Sequence, residues 1–325
     1  MSTNAPSIQD VAARAGVALG TVSNVLNNPD LVSEKTRAKV QAAIAELGFV
    51  RNDAARQLRA GSSRSIGLIV PDVRNPFYTD VARGAEDAAT EQNLSVLLAN
   101  TDDDLEREQA MLSLFEEQRV RGVLVSPTGD NLDYLKQAQR RGTGIVLVDR
   151  KSSDFSSVSV DDIAGGYLAT KHLIECGRKK LAFVGGPLTV HQIADRLTGA
   201  KKAVAETKDV SLEVIELKNL SVQAGRALGD TVKIFDGVFA ANDLVAIGIM
   251  QACVVDGNLS IPKDLSLIGY DDIDFASAAI VPLTSVRQPS AEIGKAAIEL
   301  LTSEKSKTKN IEFQPELVIR ASTLR

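Results

Sequence analysis

The sequence predicts a small all-α head followed by a larger α/β core of two doubly wound parallel-sheet lobes. Three observations carry this expectation. In the first fifty residues, apolar side chains recur at helical spacing in three short stretches. From Ser65 onward, short apolar runs alternate with helical stretches, the pattern of a parallel sheet wrapped by helices. One set of this alternation closes near Asp149 and a second follows, which points to two lobes with a cleft between them.

Each element follows in order. Ile8–Ala15 reads as a helix with Ser7 as N-cap, and Gly16-Val17 breaks it. A second helix runs from about Leu19 to Leu26, with Val22, Val25 and Leu26 on one face. A third starts near Ser33, carries Val40, Ile44 and Leu47, and stops at Gly48. RNDAARQLRA, residues 51–60, is basic with almost no apolar face, and Gly61-Ser62-Ser63 reads as a joint. In the first lobe the strands are SIGLIVPD, LSVLLAN, GVLVSP and GIVLVD, and helices are expected over Val81–Gln92, Glu106–Gln118 and Leu132–Arg141. The second set gives strands SVSVDD, KLAFVGG, LEVIELK, GVFAAND, LSLIGYDD, LTSVRQP and ELVIRAST. Its helices are expected over Ala164–Glu175, Gln192–Glu206, Val222–Thr231, Leu244–Asp256 and Ala291–Leu301. The expected domains are residues 1–50, a hinge and linker at 51–64, and a core at 65–325. Within the core, the N-lobe takes about 65–161 and 290–308, and the C-lobe about 162–289 and 309–325.

Composition is that of a soluble globular chain: 44% hydrophobic and 24% charged over 325 residues. With no Trp and 4% aromatics, the core is built mostly from Ala, Val, Leu and Ile. Residues 1–64 hold eight Lys/Arg and five Asp/Glu, a net +3, while the remainder holds 29 and 37, a net −8. A basic head on an acidic body fits a polyanion partner for the head alone. Cys176 and Cys253 read as reduced, buried thiols, which implies a cytoplasmic chain and leaves a disulfide open. MSTNAPSIQD lacks the features of a signal peptide, and no apolar run is long enough for a membrane span.

QDVAARAGVALGTVSNVLN has the layout of a helix-turn-helix: an apolar helix, a tight turn at Gly16, and a second helix opening on small polar residues. Such a second helix lies in the major groove of DNA. Residues 7–58, from SIQDVAARAG to DAARQL, resemble the head of the lactose-repressor (LacI-type) family of bacterial regulators, and the resemblance continues to residue 325. It implies a periplasmic-binding-protein-like core and a dimeric repressor on a palindromic operator. It places Leu19, Gly20 and Asn24 at base-reading sites, and Thr21 and Ser23 on phosphate or base edges. It also places Asn28, Arg51, Asn52 and Ala55 against DNA. Ala18 stands where the family usually has Ser. Asn can pair with adenine and Leu can touch a thymine methyl, whereas Gly20 offers no side chain. Residues 54–58 resemble the family's hinge helix, which orders on DNA in the minor groove. Leu58 takes the position of the leucine that wedges between base pairs.

In the core, the polar residues at strand ends form a coherent set. Asn75-Pro76-Phe77-Tyr78, Asp149-Arg150, Asn242-Asp243, Asp271-Asp272 and Gln288 follow strands, and Arg196 follows Gly185-Gly186. Carboxylates, amides, arginine and aromatics together suit the clustered hydroxyls and apolar faces of a sugar. The core also resembles bacterial ribose-binding proteins and ribose repressors. Their sugar ligands match at Asn75, Phe77, Asp149, Arg150, Arg196, Asn242, Asp271 and Gln288. Tyr78 replaces a second phenylalanine, and Leu220 stands where a stacking phenylalanine is common, which argues against a purine held by stacking. The expected effector is ribose or a ribose-containing molecule such as a ribonucleoside. Another pentose or hexose, or a sugar phosphate, is the alternative.

The remaining features read as structural. His172 and His191 are expected at the surface or as caps, Asp102-Asp103-Asp104 as a helix start, and Gly165-Gly166 and Gly185-Gly186 as turn or close-packing glycines. No metal site, cofactor or phosphate loop is expected. No apolar heptad tail follows ELVIRAST, so a dimer is expected and not a tetramer. A transport binding protein would have no use for residues 1–60. An enzyme would need a nucleophile, metal or activated acid–base pair, and Asp149, Asp271 and Asp272 show no activating partner.

Overall fold

The computed structural model describes residues 6–50, 63–257, 259–303 and 308–323. The chain divides at residues 62–63 into two compact units.

The first unit contains α1 (Ile8–Ala15), α2 (Leu19–Asn27), a 3₁₀ turn at Pro29–Leu31, and α3 (Glu34–Leu47). Ser7 and Asp10 close a capping box at the start of α1, satisfying donors that the first turn leaves open. Gly16 and Gly48 end α1 and α3 at φ 64° and φ 62°, the left-handed region where a side chain is disfavoured. Val11, Ala12, Val22, Val25, Val40 and Ala43 form the core. Arg14 on α1 pairs with Glu46 on α3 at 2.5 Å.

Twelve strands are found among the described residues of the second unit. They are β1 (Ser65–Val70), β2 (Ser95–Asn100), β3 (Gly122–Val125), β4 (Gly144–Val148), β5 (Ser156–Val160), β6 (Lys180–Gly185), β7 (Ser211–Glu216), β8 (Gly237–Ala240), β9 (Ser266–Asp271), β10 (Thr284–Arg287), β11 (Asn310–Phe313) and β12 (Glu316–Val318). They form two six-stranded sheets, in the orders β11-β5-β4-β3-β1-β2 and β12-β10-β9-β8-β6-β7. The first sheet is all parallel, and in the second only β12 runs antiparallel, against β10. Each sheet thus carries a doubly wound order of the 2-1-3-4-5 type, whose ligands bind beyond the C-terminal ends of the strands.

The chain passes between the lobes three times: after β5, after β10, and between β11 and β12. Helix Ser290–Thr302 returns to the first lobe, where Ile293, Ala297 and Ile298 pack with Val146 and Val148. β11 pairs with β5, so residues 310–313 sit in the first lobe and not in the C-lobe. NIEF is a short, half-exposed edge strand whose pattern does not reveal its partner.

Three other stretches depart from the sequence reading. Val222–Thr231 is a helix only over Val222–Arg226, with a 3₁₀ turn at Thr231–Ile234 after Gly229. The helix Asp243–Met250 continues as a π-helical turn at Gln251–Asp256. In ELVIRAST only Glu316–Val318 pairs as a strand.

Gly166 is a close-packing glycine inside helix Asp162–Glu175: a Cβ there would fall 1.9 Å from the Arg196 carbonyl oxygen. This contact seats helix His191–Ala205, and Arg196 with it, against its neighbour. Cys253 is buried, and Cys176 is part-exposed with its Sγ 3.6 Å from His172 Nε2. His172 also meets Thr323 Oγ1 at 2.9 Å. Among the described residues, no helix is long and apolar enough to cross a membrane.

Candidate functional site

In the head, Val22 and Val25 bury one face of α2. The other face leaves Ala18, Leu19, Gly20, Asn24 and Asn28 exposed, with Thr21 and Ser23 half-exposed. Leu19 is 45% exposed, a large apolar side chain with no core to join. Ala18 supplies no side-chain cap; its carbonyl takes the Thr21 N–H at 2.9 Å, which leaves the Leu19 and Gly20 N–H groups to an outside acceptor. A Cβ at Gly20 would meet no heavy atom within 4 Å. Asn27 donates to the Ser23 carbonyl at 2.8 Å and to Ser23 Oγ at 3.2 Å, which fixes the Ser23 edge of this face. Arg51, Asn52, Ala55 and Leu58 lie outside the described residues.

In the core, a cavity of about 340 Å³ lies between the lobes. Eight of the ten sugar-site residues expected from the sequence line it: Asn75, Phe77, Tyr78, Asp149, Arg196, Leu220, Asn242 and Asp271. Local structure explains how they arrive. Asn75 and Asn242 are N-caps of the helices after β1 and β8, each accepting a backbone N–H through Oδ1, from Phe77 at 3.1 Å and Val245 at 2.9 Å. Capping fixes the Oδ1 side, which leaves Nδ2 as the donor of each amide. Asn75 Nδ2 donates to Asp271 Oδ2 across the lobes at 3.0 Å. Gln288 Nε2 donates to Asp271 Oδ1 at 2.8 Å from behind, so Gln288 supports the site without lining the cavity. Phe77 packs edge-on against Tyr78, with ring centroids 5.0 Å apart.

Arg196 is buried. Its Nε donates to Asp162 Oδ1 at 2.8 Å and its Nη1 to the Ala241 carbonyl at 2.7 Å. Its Cζ stands 3.7 Å from the Tyr270 ring centroid, which holds the guanidinium flat. Asp149 and Asp271 are also buried. Burial pushes the Asp149 carboxyl well above its ordinary range, with the Asp162 charge adding to it and Arg196 opposing it. Burial pushes Asp271 up to about 6, against the pull of Arg196 and the hydrogen bonds from Asn75 and Gln288. Asp149 Oδ1 and Gln288 Oε1 are buried without a partner among the described residues. Such orphans are costly, and a hydroxyl-rich ligand would satisfy the one on Asp149.

Arg150 does not join the cavity. Its guanidinium turns to the Gly129 carbonyl and to Asp130, 3.4 Å away. It lines a separate cavity of about 280 Å³ with Lys151 and His191, and Asp149 and Gln192 form the wall between the two. Successive residues leaving a strand point to opposite sides, so Asp149 and Arg150 cannot both face one cleft.

Several lining residues escaped the sequence reading. Gln192 donates across the lobes to the Asp149 carbonyl, and to Asp149 Oδ2 at 3.2 Å. Its signal was its place four residues before Arg196, on the same helix face. His191 meets Asp130 at 2.5 Å, a third cross-lobe contact. Asp104 caps helix Leu105–Glu117 as expected, but Asp102 and Asp103 stand at φ 54° and 57° and line the cavity. Asp272 faces away from the cleft and clamps Arg287 and Arg320 at 2.8 and 2.6 Å.

Comparison with known proteins matches both parts of the chain. Residues 7–52 fit the family described as bacterial regulatory proteins, lacI family, and residues 170–323 fit a periplasmic binding protein-like domain. The HTH-type transcriptional regulator RegA of Clostridium saccharobutylicum is 36% identical, with 98% of this chain and all of that protein covered. The ribose operon repressor of Halalkalibacterium halodurans is 35% identical over 98% and 97%. Among solved structures, the lac repressor dimer bound to operator and an anti-inducer gives a TM-score of 0.86 at 25% identity, covering 99% and 100%. A LacI-family regulator from Enterococcus faecium with bound ribose gives 0.73 at 27% identity, covering 79% and 98%.

Proposed function

The chain belongs to the lacI family of bacterial DNA-binding regulatory proteins, and on that premise we propose that it is a repressor whose grip on a palindromic operator is set by ribose or a ribose-containing small molecule in the cleft. One observation carries the ligand half of this reading. Asn75, Asp149, Arg196, Asn242 and Asp271 converge on one cavity between the lobes, with an unpartnered Asp149 oxygen among them. Fixed donors on Asn75 and Asn242, acceptors on Asp149 and Asp271, and the Phe77 and Tyr78 rings match hydroxyls spaced around a small ring. A relative that represses a ribose operon and a neighbour with bound ribose favour a pentose over other sugars.

The coupling follows from where the polar groups sit. Asn75–Asp271, Gln192–Asp149 and His191–Asp130 bond one lobe to the other. A ligand using Asp271 and Asp149 as acceptors competes with two of these bonds, so it has different affinity for different lobe positions. Differential affinity is what allosteric control requires. At the DNA, Leu19 and Asn24 read bases, Gly20 leaves its base pair without a side-chain contact, and Ala18, Thr21, Ser23 and Asn28 position the helix. Residues 51–64 serve as the hinge, with Arg51, Asn52 and Ala55 at the minor groove and Leu58 as the wedge.

A homodimer is the working form, in the cytoplasm where its operator lies. β2 is an edge strand with Leu97 at 41% and Leu98 at 47% exposure, on opposite faces. An apolar edge of this kind invites a covering partner, and two-fold symmetry would match a palindrome.

The test is a duplex selected from a random pool and titrated at two salt concentrations. Affinity should fall steeply with salt and change at least tenfold with saturating ligand. Replacing Leu58 with Ser should cost at least tenfold in operator affinity; unchanged affinity would remove the wedge from the reading.

A further inference from the structure

The cleft is longer than a single sugar. Asp149 follows β4 and Asp102-Asp103 follow β2, and the order β4-β3-β1-β2 separates them by three strand spacings, about 14 Å at ~4.8 Å each. All three line the one cavity of about 340 Å³. A pentose has ten non-hydrogen atoms. Ten waters occupy about 300 Å³ in the liquid, and bonded atoms take roughly half of that, so the sugar leaves one end of the cavity open.

The two ends differ in charge. At the inner end Arg196 faces Asp162, Asp149 and Asp271. At the outer end Arg74 is held by Asp72 at 2.8 Å and lies 3.7 Å from Asp102, and Asp102 also pairs with Arg107. Asp103 makes no ion pair or hydrogen bond among the described residues, although it lines the cavity. Across from these acids, Asn219 and Gln223 bring amides, while Pro187, Val190 and Leu220 bring apolar surface. A flat, nitrogen-bearing group can lie on the apolar side and donate to the open carboxylate. A phosphate would meet that carboxylate, with Asp72 and Asp102 beside it, as like charges, and Arg74, the guanidinium lining this end, already faces two of these acids.

We propose that this outer end is a second subsite selecting an uncharged or cationic nitrogen-bearing substituent on the sugar, so that the effector is a ribonucleoside and not a sugar phosphate. The proposal rests on the pentose reading of the inner end. Calorimetry on the full chain with D-ribose, cytidine, adenosine and D-ribose 5-phosphate separates the two. At least one nucleoside should bind ten times tighter than ribose, and ribose 5-phosphate ten times weaker. Asp103→Asn removes the charge while keeping a residue that tolerates left-handed backbone, and it should narrow both ratios at least threefold. The second subsite is overturned, with the pentose reading intact, if ribose binds while neither nucleoside gains on it, or if the phosphate binds as well as ribose. Ratios unchanged in Asp103→Asn overturn it equally. Silence from all four compounds overturns both readings.

Discussion

Replacing Asp271 with Asn should stabilise the empty protein at neutral pH and weaken its ligand. Asp271 is buried at φ 100°, a backbone that Asn tolerates. Its hydrogen bonds survive the exchange. Asn75 cannot turn its amide, because Oδ1 is held by the Phe77 N–H, so it keeps donating to the new residue's oxygen. Gln288 can turn, because its Oε1 has no partner, and it then accepts from the new amide. What changes is the charge. The folded-state value of about 6 lies above the ordinary 3.8, chiefly through burial. Stability attached to Asp271 is therefore complete below pH 4 and lost as pH rises through about 6. At ~1.4 kcal/mol per unit, a shift of about two units makes the charged form cost about 3 kcal/mol at pH 7.5. Denaturant unfolding of both proteins at pH 4.5 and 7.5 reads this directly. The variant should exceed the parent by about 1 kcal/mol at the lower pH, where an ordinary carboxyl is already mostly ionised, and by about 3 kcal/mol at the higher. Asp149 adds to the difference in the same direction, because the Asp271 charge helps to raise it and removing that charge eases the ionisation of Asp149 as well. Pentose affinity should fall at least tenfold, since a carboxylate acceptor is gone. A variant less stable than the parent at pH 7.5, or a difference independent of pH, would refute the reasoning.

Three further outcomes are expected. Arg196→Lys keeps the charge but loses the Ala241 contact and the stacking on Tyr270, so melting should show a loss of about 2 kcal/mol and calorimetry a loss of pentose binding of at least a hundredfold. Leu98→Asp puts a charge on the apolar β2 edge, and sedimentation should show a monomer where the parent sediments as a dimer. Gly20→Ala fills open space on α2 and should stabilise the head by up to about 1 kcal/mol, while duplex selection should show altered preference at one base pair per half-site.

The strand–helix alternation was legible because buried parallel strands are apolar on both faces, as in SIGLIV and LAFVG. The Asn and Asp positions at strand ends were legible for a related reason: a residue that caps the next helix is placed beyond its strand, where the cleft opens. What stayed hidden depends on pairing or on direction. β11 is too short and too exposed for its pattern to name a partner. Arg150 follows Asp149, which lines the cavity, but adjacent residues diverge, and sequence does not say which one faces the cleft. Asp102 and Asp103 look like an ordinary helix start, and only the left-handed backbone at both turns them toward the cavity rim.

The most direct test of the central claim is fluorescence anisotropy of the full chain on its selected duplex, with and without saturating D-ribose or a ribonucleoside. Operator affinity should shift at least tenfold on adding ligand, and Asp271→Asn should need at least ten times more ligand for the same shift. Equal operator affinity for the free and ligand-saturated protein would contradict the account.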